Sequence, residues 1–147
     1  MSKYILISPW SKKLLNGNIS PKCPKTEWWK ELISLIEYPI IQIGVDREEQ
    51  LVDDFRKNLS LFTLKELVLN CHTWIAVDSF FQHFCWDLKK PGIVIFGQSS
   101  PKIFGHSENI NLLKNEKYFM PNQFLFWDLV SYRDEVFIEP KEVIKYI

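Results

Sequence analysis

Four short, nearly continuous apolar runs punctuate the chain: Tyr4-Ile5-Leu6-Ile7, Ile40 to Ile43, Trp74 to Val77 and Ile93 to Phe96. Runs of this length and density suit strands buried on both faces. Ser8-Pro9-Trp10, Gly44, Asp78-Ser79 and Gly97 close them in turn. Between the runs the apolar spacing changes to that of amphipathic helices. Trp29, Leu32, Ile33 and Ile36 form one stripe, which Thr26 can cap and Pro39 ends. Thr63 opens a second helix through Leu64, Leu67 and Val68 to Cys71. Phe80, Phe81, Phe84, Cys85 and Leu88 make a third, which Asp78-Ser79 is suited to cap and Lys89-Lys90-Pro91-Gly92 terminates. Strand and helix therefore alternate along the chain. The alternation predicts an α/β fold over residues 1–147, a single Rossmann-like domain with a mainly parallel sheet and helices on both faces. Ligands of such sheets bind at the carboxyl ends of the strands, where Asp78 and Gly97 lie.

The remainder carries weaker patterns. Between Leu51 and Leu61, Asp53, Asp54, Arg56 and Lys57 read as a surface segment. Residues 102–113 read as a loop with one short extended piece, and the glycine and histidine of Gly105-His106 are candidates to line the same cleft. Lys114 to Asp134 is rich in aromatics but has little period, which leaves open both ordinary packing and a subunit interface. Pro140 is placed to start a closing helix anchored by Val143, Ile144 and Ile147.

Composition narrows the function classes. A hydrophobic fraction of 46% and an aromatic fraction of 15% argue for a packed globule rather than disorder. Eighteen basic and eighteen acidic residues cancel, so no long-range field gathers nucleic acid, and no nucleic-acid partner is expected. Cys23, Cys71 and Cys85 are an odd count without a disulfide-scaffold spacing, which fits a reducing, cytoplasmic setting. No apolar run approaches the roughly 20 residues of a membrane span, and Met1-Ser2-Lys3 leads into a strand rather than a signal peptide. Cys71-His72 and His83-x-Cys85 match no common zinc spacing, and no metal or other cofactor is expected. The chain also lacks a Gly-x-Ser-x-Gly elbow and a Walker glycine loop.

The candidate chemistry is anion binding. The loop from Ser11 to Lys25 follows the first strand and carries Lys12, Lys13, Lys22 and Lys25 with Asn16-Gly17-Asn18. Ammonium groups and free backbone N–H groups both favour phosphate there, and a merely solvated loop is the other reading. Asp46, Glu48 and Glu49 after the second strand are candidates for a ribose hydroxyl, or equally for a charged helix start. Asp78, Ser79 and His83 open the third helix, whose free N–H groups favour an anion, while a cap with an internally bonded histidine is the alternative.

The spacing D-S-x-x-x-H (Asp78, Ser79, His83), a helix, K-P (Lys90, Pro91), a strand and F-G-x-S-x-P (Phe96, Gly97, Ser99, Pro101) resembles the C-terminal half of the heptosyltransferases. These are family-nine glycosyltransferases of two-domain GT-B architecture, with the pattern D-T-G-x-x-H followed by F-G-x-T-x-P. Phe80 stands where that pattern has glycine, which lets the backbone approach a donor sugar closely. The resemblance implies a glycosyltransferase-like protein that binds a nucleotide-diphosphate sugar, with an ADP-heptose-like donor favoured. It further implies a donor site formed by Ser8, Ser11, Lys12 and Lys22 at the phosphates, Asp46 and Glu48 near the nucleoside, and Asp78, Ser79, His83, Gly97 and Ser99 around the donor. The family's acceptor site and catalytic base lie in an N-terminal domain that has no counterpart here. A partner chain or homo-oligomer, a different base such as Asp46 or Asp87, and a non-catalytic nucleotide-binding module all follow as possibilities, as does an interaction protein that has lost the ligand.

Overall fold

The computed structural model describes residues 3–147; Met1 and Ser2, on which the expectation about a leader rests, lie outside the described residues. The order along the chain is β1 (Ile5–Ser8), α1 (Thr26–Leu35), β2 (Ile40–Gly44), β3 (Phe55–Lys57), α2 (Leu61–Asn70), β4 (Thr73–Val77), α3 (Phe80–Asp87), β5 (Ile93–Phe96), α4 (Pro101–Phe104), β6 (Ile110–Leu113) and α5 (Pro140–Val143), with short 3-10 turns after β6 and α5. The six strands form one sheet in the order β3-β2-β1-β4-β5-β6, every pair parallel. Ile5 is in register with Ile40 on one side and with Thr73 on the other.

Alternate residues of the central strands feed two cores, which is why those runs are apolar throughout. Ile5, Ile7, Ile75, Val77, Ile93 and Ile95 pack under Trp29 and Leu32 of α1 and under Val136, Phe137 and Val143. Leu6, Trp74, Ala76, Val94 and Phe96 face Leu64 and Val68 of α2 and Phe81 and Cys85 of α3. The sheet is thus covered on both faces, as the alternation predicts. Each fully buried aliphatic side chain contributes about 1.5–3 kcal/mol.

Two strands escape the apolar pattern because they lie at the edges. β3 carries the charged pair Arg56-Lys57, yet Gln42 N–H donates to Asp54 O and Asn58 N–H to Gly44 O, both at 2.9 Å, and these bonds hold it to β2. Charged edge strands are also a common defence against unwanted pairing. β6 is a short extended piece of the kind expected in residues 102–113; the structure places it at Ile110–Leu113, paired with β5. Helix starts differ as well. α2 begins two residues before Thr63, capped by Ser60, whose hydroxyl accepts from Thr63 N–H at 3.2 Å. Lys25 rather than Thr26 occupies the capping position of α1, and Thr26 donates its hydroxyl to Glu49 Oε1 at 2.7 Å. In α3, Ser79 is in the capping position but makes no capping bond; its hydroxyl donates to Val77 O at 3.3 Å. Phe80, expected on the apolar stripe of α3, is 63% exposed because it stands at the first turn, above the sheet's edge.

The aromatic segment after β6 returns over the carboxyl end of the sheet as a series of turns. Met120 N–H donates to Gln98 O at 3.0 Å, and Gln123 bridges Gln98 O and Ser100 N. Further along, Tyr132 donates to Cys23 O at 3.0 Å and Trp28 Nε1 to Ile138 O at 2.8 Å. These bonds tie the end of the segment to the β1–α1 loop and to α1, and α5 then lies against α1.

Candidate functional site

In this strand order the connections from β1 and β4 leave the sheet in opposite directions, and a crevice opens between their carboxyl ends. A cavity of about 760 Å³ occupies that crevice. Ser8, Ser11, Lys12 and Lys22 reach it from β1 and the loop beyond; Glu48 comes from the turn after β2; Asp78 and Ser79 come from the end of β4. These seven expected site residues are the ones brought together.

Asp78 anchors the floor. Its carboxylate is buried, accepts from Gln82 Nε2 at 2.8 Å and from the Ser99 hydroxyl at 3.2 Å, and lies 3.5 Å from Lys22 Nζ. Gln82 follows Asp78 by four residues, so one turn of α3 sets this contact. Lys22 in turn sits 5.3 Å over the Trp127 ring, which ties the β1 loop to the late aromatic segment. That loop turns back at Gly17, whose φ of +85° suits glycine, and Ser20 fixes its return by accepting from Lys22 N–H. Leu15 N–H donates to Asp128 Oδ1 at 3.0 Å across the same seam.

On the opposite wall Glu48 Oε1 accepts from Val45 N–H at 2.9 Å and fills the space a side chain at Gly44 would need. Burial raises the Glu48 carboxyl above the usual carboxylate range, against the Val45 hydrogen bond and the nearby Lys13. Gln42, fully buried in β2, holds this turn by donating to Glu49 O and accepting from Leu51 N–H. Lys12, Lys13, Lys22 and Arg56 all border the cavity, although Arg56 is engaged by Asp54 at 2.9 and 3.0 Å. The lining carboxylates are each occupied: Glu48 by a backbone amide, Asp78 by Lys22, Gln82 and Ser99, and Asp128 by the Leu15 amide. Lys12 and Lys13, exposed on its border, are the cations such a cavity offers an anion beyond the Lys22–Asp78 pair.

Four expected residues stand apart from the cavity wall. Ser99 is buried behind Asp78, to which it donates. Gly97 lies beneath Val136 and Phe137, which approach so closely that a side chain there would strike them. Asp46 is exposed on the turn after β2, its amide 3.4 Å from Asn58 Oδ1. His83 faces outward and shares a 2.7 Å hydrogen bond, Nδ1 to Nε2, with His106, which stacks on Trp86. His106 accordingly partners His83 rather than lining the cavity. Asp87 closes α3 and does not border the cavity either. Conversely, Lys13, Arg56, Asn58, Trp127 and Asp128 line it without having been singled out. Lys13 shared its loop's basic signal; the others arrive through edge-strand pairing and a long return segment that leave no local pattern.

The histidine pair has a measurable consequence. Burial, followed by the neighbouring His106, holds the His83 imidazole below the usual histidine range. The unfolded chain then takes up this proton at a higher pH than the folded chain does. The associated stability is present above about pH 6.5 and is lost as the pH falls through the folded value. Melting temperatures of wild type are expected to drop more steeply than those of His83→Gln between about pH 7 and 5. Equal slopes would remove His83 as the titrating group.

No family model matches the sequence, and no curated protein matches it. Solved structures share the fold. The E. coli ADP-heptose LPS heptosyltransferase II superposes with a TM-score of 0.69 at 15% identity, covering 98% of this chain and 45% of its own. E. coli heptosyltransferase WaaC, solved with ADP, gives 0.62 at 18% identity over 75% of this chain and 37% of its own. The dodecameric, iron-containing heptosyltransferase TibC, solved with ADP-D-β-D-heptose, gives 0.60 at 13% identity over 97% and 37%. The chain thus spans less than half the length of the proteins it resembles, and the likeness is one of fold, in keeping with the C-terminal half of a heptosyltransferase.

Proposed function

We propose that residues 1–147 form a donor-binding unit that takes a nucleotide-diphosphate sugar, an ADP-heptose-like donor being favoured, and that transfer requires an acceptor site and base supplied by a partner chain. The observation that carries this reading is the cavity at the β1–β4 switch point, where Lys12, Lys13 and Lys22 meet the uncapped first turn of α3. Cations and free amides at one point favour a diphosphate over a neutral ligand. The two neighbours solved with ADP and with ADP-D-β-D-heptose support the choice of nucleotide. The partner reading is supported by Asp78, whose carboxylate is taken up by Lys22, Gln82 and Ser99, whereas a general base needs a carboxylate oxygen within reach of the acceptor hydroxyl. A cytoplasmic setting fits the three free, buried cysteines. Among the described residues no helix is long and apolar enough to cross a membrane.

A second reading, a nucleotide-binding module without catalysis, is favoured by Phe80, which lines the cavity where the resembled pattern has glycine. Calorimetric titration with ADP, UDP, GDP and ADP-sugars, followed by transfer and hydrolysis assays on whichever binds, separates the two. Binding with Kd of about 1–100 μM is expected for one diphosphate class. Turnover then distinguishes enzyme from module, and no binding to any of them would leave only an interaction role. Ser79→Ala is expected to weaken that binding roughly 5- to 10-fold, the scale of one hydrogen bond, without changing the melting temperature. An altered melt with unchanged affinity would make Ser79 purely structural.

A further inference from the structure

Among the described residues, every large apolar side chain that is more than half exposed lies at one place, the carboxyl edge of the sheet. The cleft divides them into two lips. Leu15, 94% exposed at the tip of the β1 loop, stands with Phe126 and Leu129 on one lip, and Phe124 continues it. Val45, Leu61 and Phe62 form the other, beyond β2 and β3, and Phe80 stands between the two. Isolated exposed apolar residues are ordinary, but a concentration on a single edge marks an interaction surface.

Its size and charge identify the occupant. Phe residues bury roughly 150–250 Å² each when covered, so these eight side chains offer on the order of 1,000 Å², against about 800 Å² per partner in a stable interface. Charges of both signs stand among them: Lys12, Lys13 and Asp128 on the first lip, and Asp46, Arg56 and Lys57 on the second. A two-fold axis brings the first lip of one copy onto the second lip of the other, so that Asp128 of each copy comes to the Arg56–Lys57 side of its mate and Asp46 to the Lys12–Lys13 side. The formal net charge of zero adds no repulsion between copies. An anionic bilayer fits less well, because a flat surface would dehydrate Asp46 and Asp128 and leave the concave centre unfilled.

We propose that two copies of this chain dock face to face across the carboxyl edges of their sheets, the Leu15–Phe126 lip of each packing on the Phe62 lip of the other. This pairing is the resting form of the chain by itself, and it closes the cavity mouth. Ligand exchange, or engagement of a catalytic partner on the same face, then requires the copies to part.

Light scattering and sedimentation of the ligand-free chain from about 1 to 100 μM test the proposal independently of any nucleotide. Wild type is expected at twice the 17.5 kDa of one chain. Leu15→Asp and Phe62→Asp, substitutions at exposed positions on opposite lips, are each expected to weaken the dimer about 100-fold, the scale of an interface anchor, with unchanged circular dichroism. Leu35→Asp, at an exposed position on the far end of α1, is expected to leave the dimer intact. A monomeric wild type across the range would overturn the proposal. So would a dimer that survives both lip substitutions or is lost in Leu35→Asp.

Discussion

Lys22→Ala is expected to lower the affinity for ADP or the preferred diphosphate roughly 10- to 150-fold, the range of a charge-assisted hydrogen bond worth about 1.5–3 kcal/mol. Lys22 is the one lysine of the β1 loop that the fold holds over the cavity floor. Asp78 fixes it from one side at 3.5 Å, and the Trp127 ring lies 5.3 Å away on the other. Lys12 and Lys13 are exposed, so their removal is expected to matter less. The same substitution strands the Asp78 carboxylate, which is 4% exposed, with only Gln82 and Ser99 as donors. A lowered melting temperature should accompany the lost affinity, and Lys22→Ala/Asp78→Asn should recover much of the stability without recovering the binding. Titration calorimetry and thermal melts on the three proteins read both effects. Full affinity in Lys22→Ala would show that the phosphate site lies elsewhere.

Gly92→Ala is expected to destabilise the fold by about 3 kcal/mol, at the upper end of overpacking costs. A side chain at Gly92 would fall within the Trp74 indole, and Trp74 has nowhere to go. It is fully buried, edge-on to Phe81 at 5.5 Å, and donates Nε1–H to Lys90 O at 2.9 Å. Gly92 is also tied to the β6 edge, because its O accepts from Ile110 N–H at 2.9 Å and its N–H donates to Asn109 Oδ1 at 3.2 Å. Backbone retreat would therefore disturb the β5–β6 pairing. Trp74→Phe makes room at the cost of the indole hydrogen bond, so Trp74→Phe/Gly92→Ala should be markedly less destabilised than the sum of the single changes. Urea unfolding of the four proteins measures that difference. Additive effects would mean that the two positions do not meet.

Much of this architecture is legible in the residues. Strands β1, β2, β4 and β5 follow directly from their apolar runs, and the helices between them follow from three- and four-residue spacings. β3 was not legible, since nothing in Asp53-Asp54-Phe55-Arg56-Lys57 separates an edge strand from a loop until β2 offers its free N–H and C=O groups. The floor of the site was half legible. Asp78 was expected beside a helix start as part of a cap, but it is the hub of a buried network because Gln82 and Ser99 converge on it. His83 was expected with Asp78 and Ser79 at the opening of α3, and its partner there, His106, was not legible in any local spacing.

The sequence by itself determined where burial occurs and with what period, and hence a parallel sheet sandwiched by helices, with the candidate residues at its carboxyl edge. That information is local, because a strand or helix must hide its apolar side wherever it ends up. Tertiary structure decided which residues meet across that edge. Leu15 and Asp128, 113 residues apart, bond there, and Lys22 is held between Asp78 and Trp127. Such pairings depend on how the β1 loop and the late aromatic segment fold back over the finished sheet. No spacing along the chain encodes them, since each partner is satisfied only once the other has arrived.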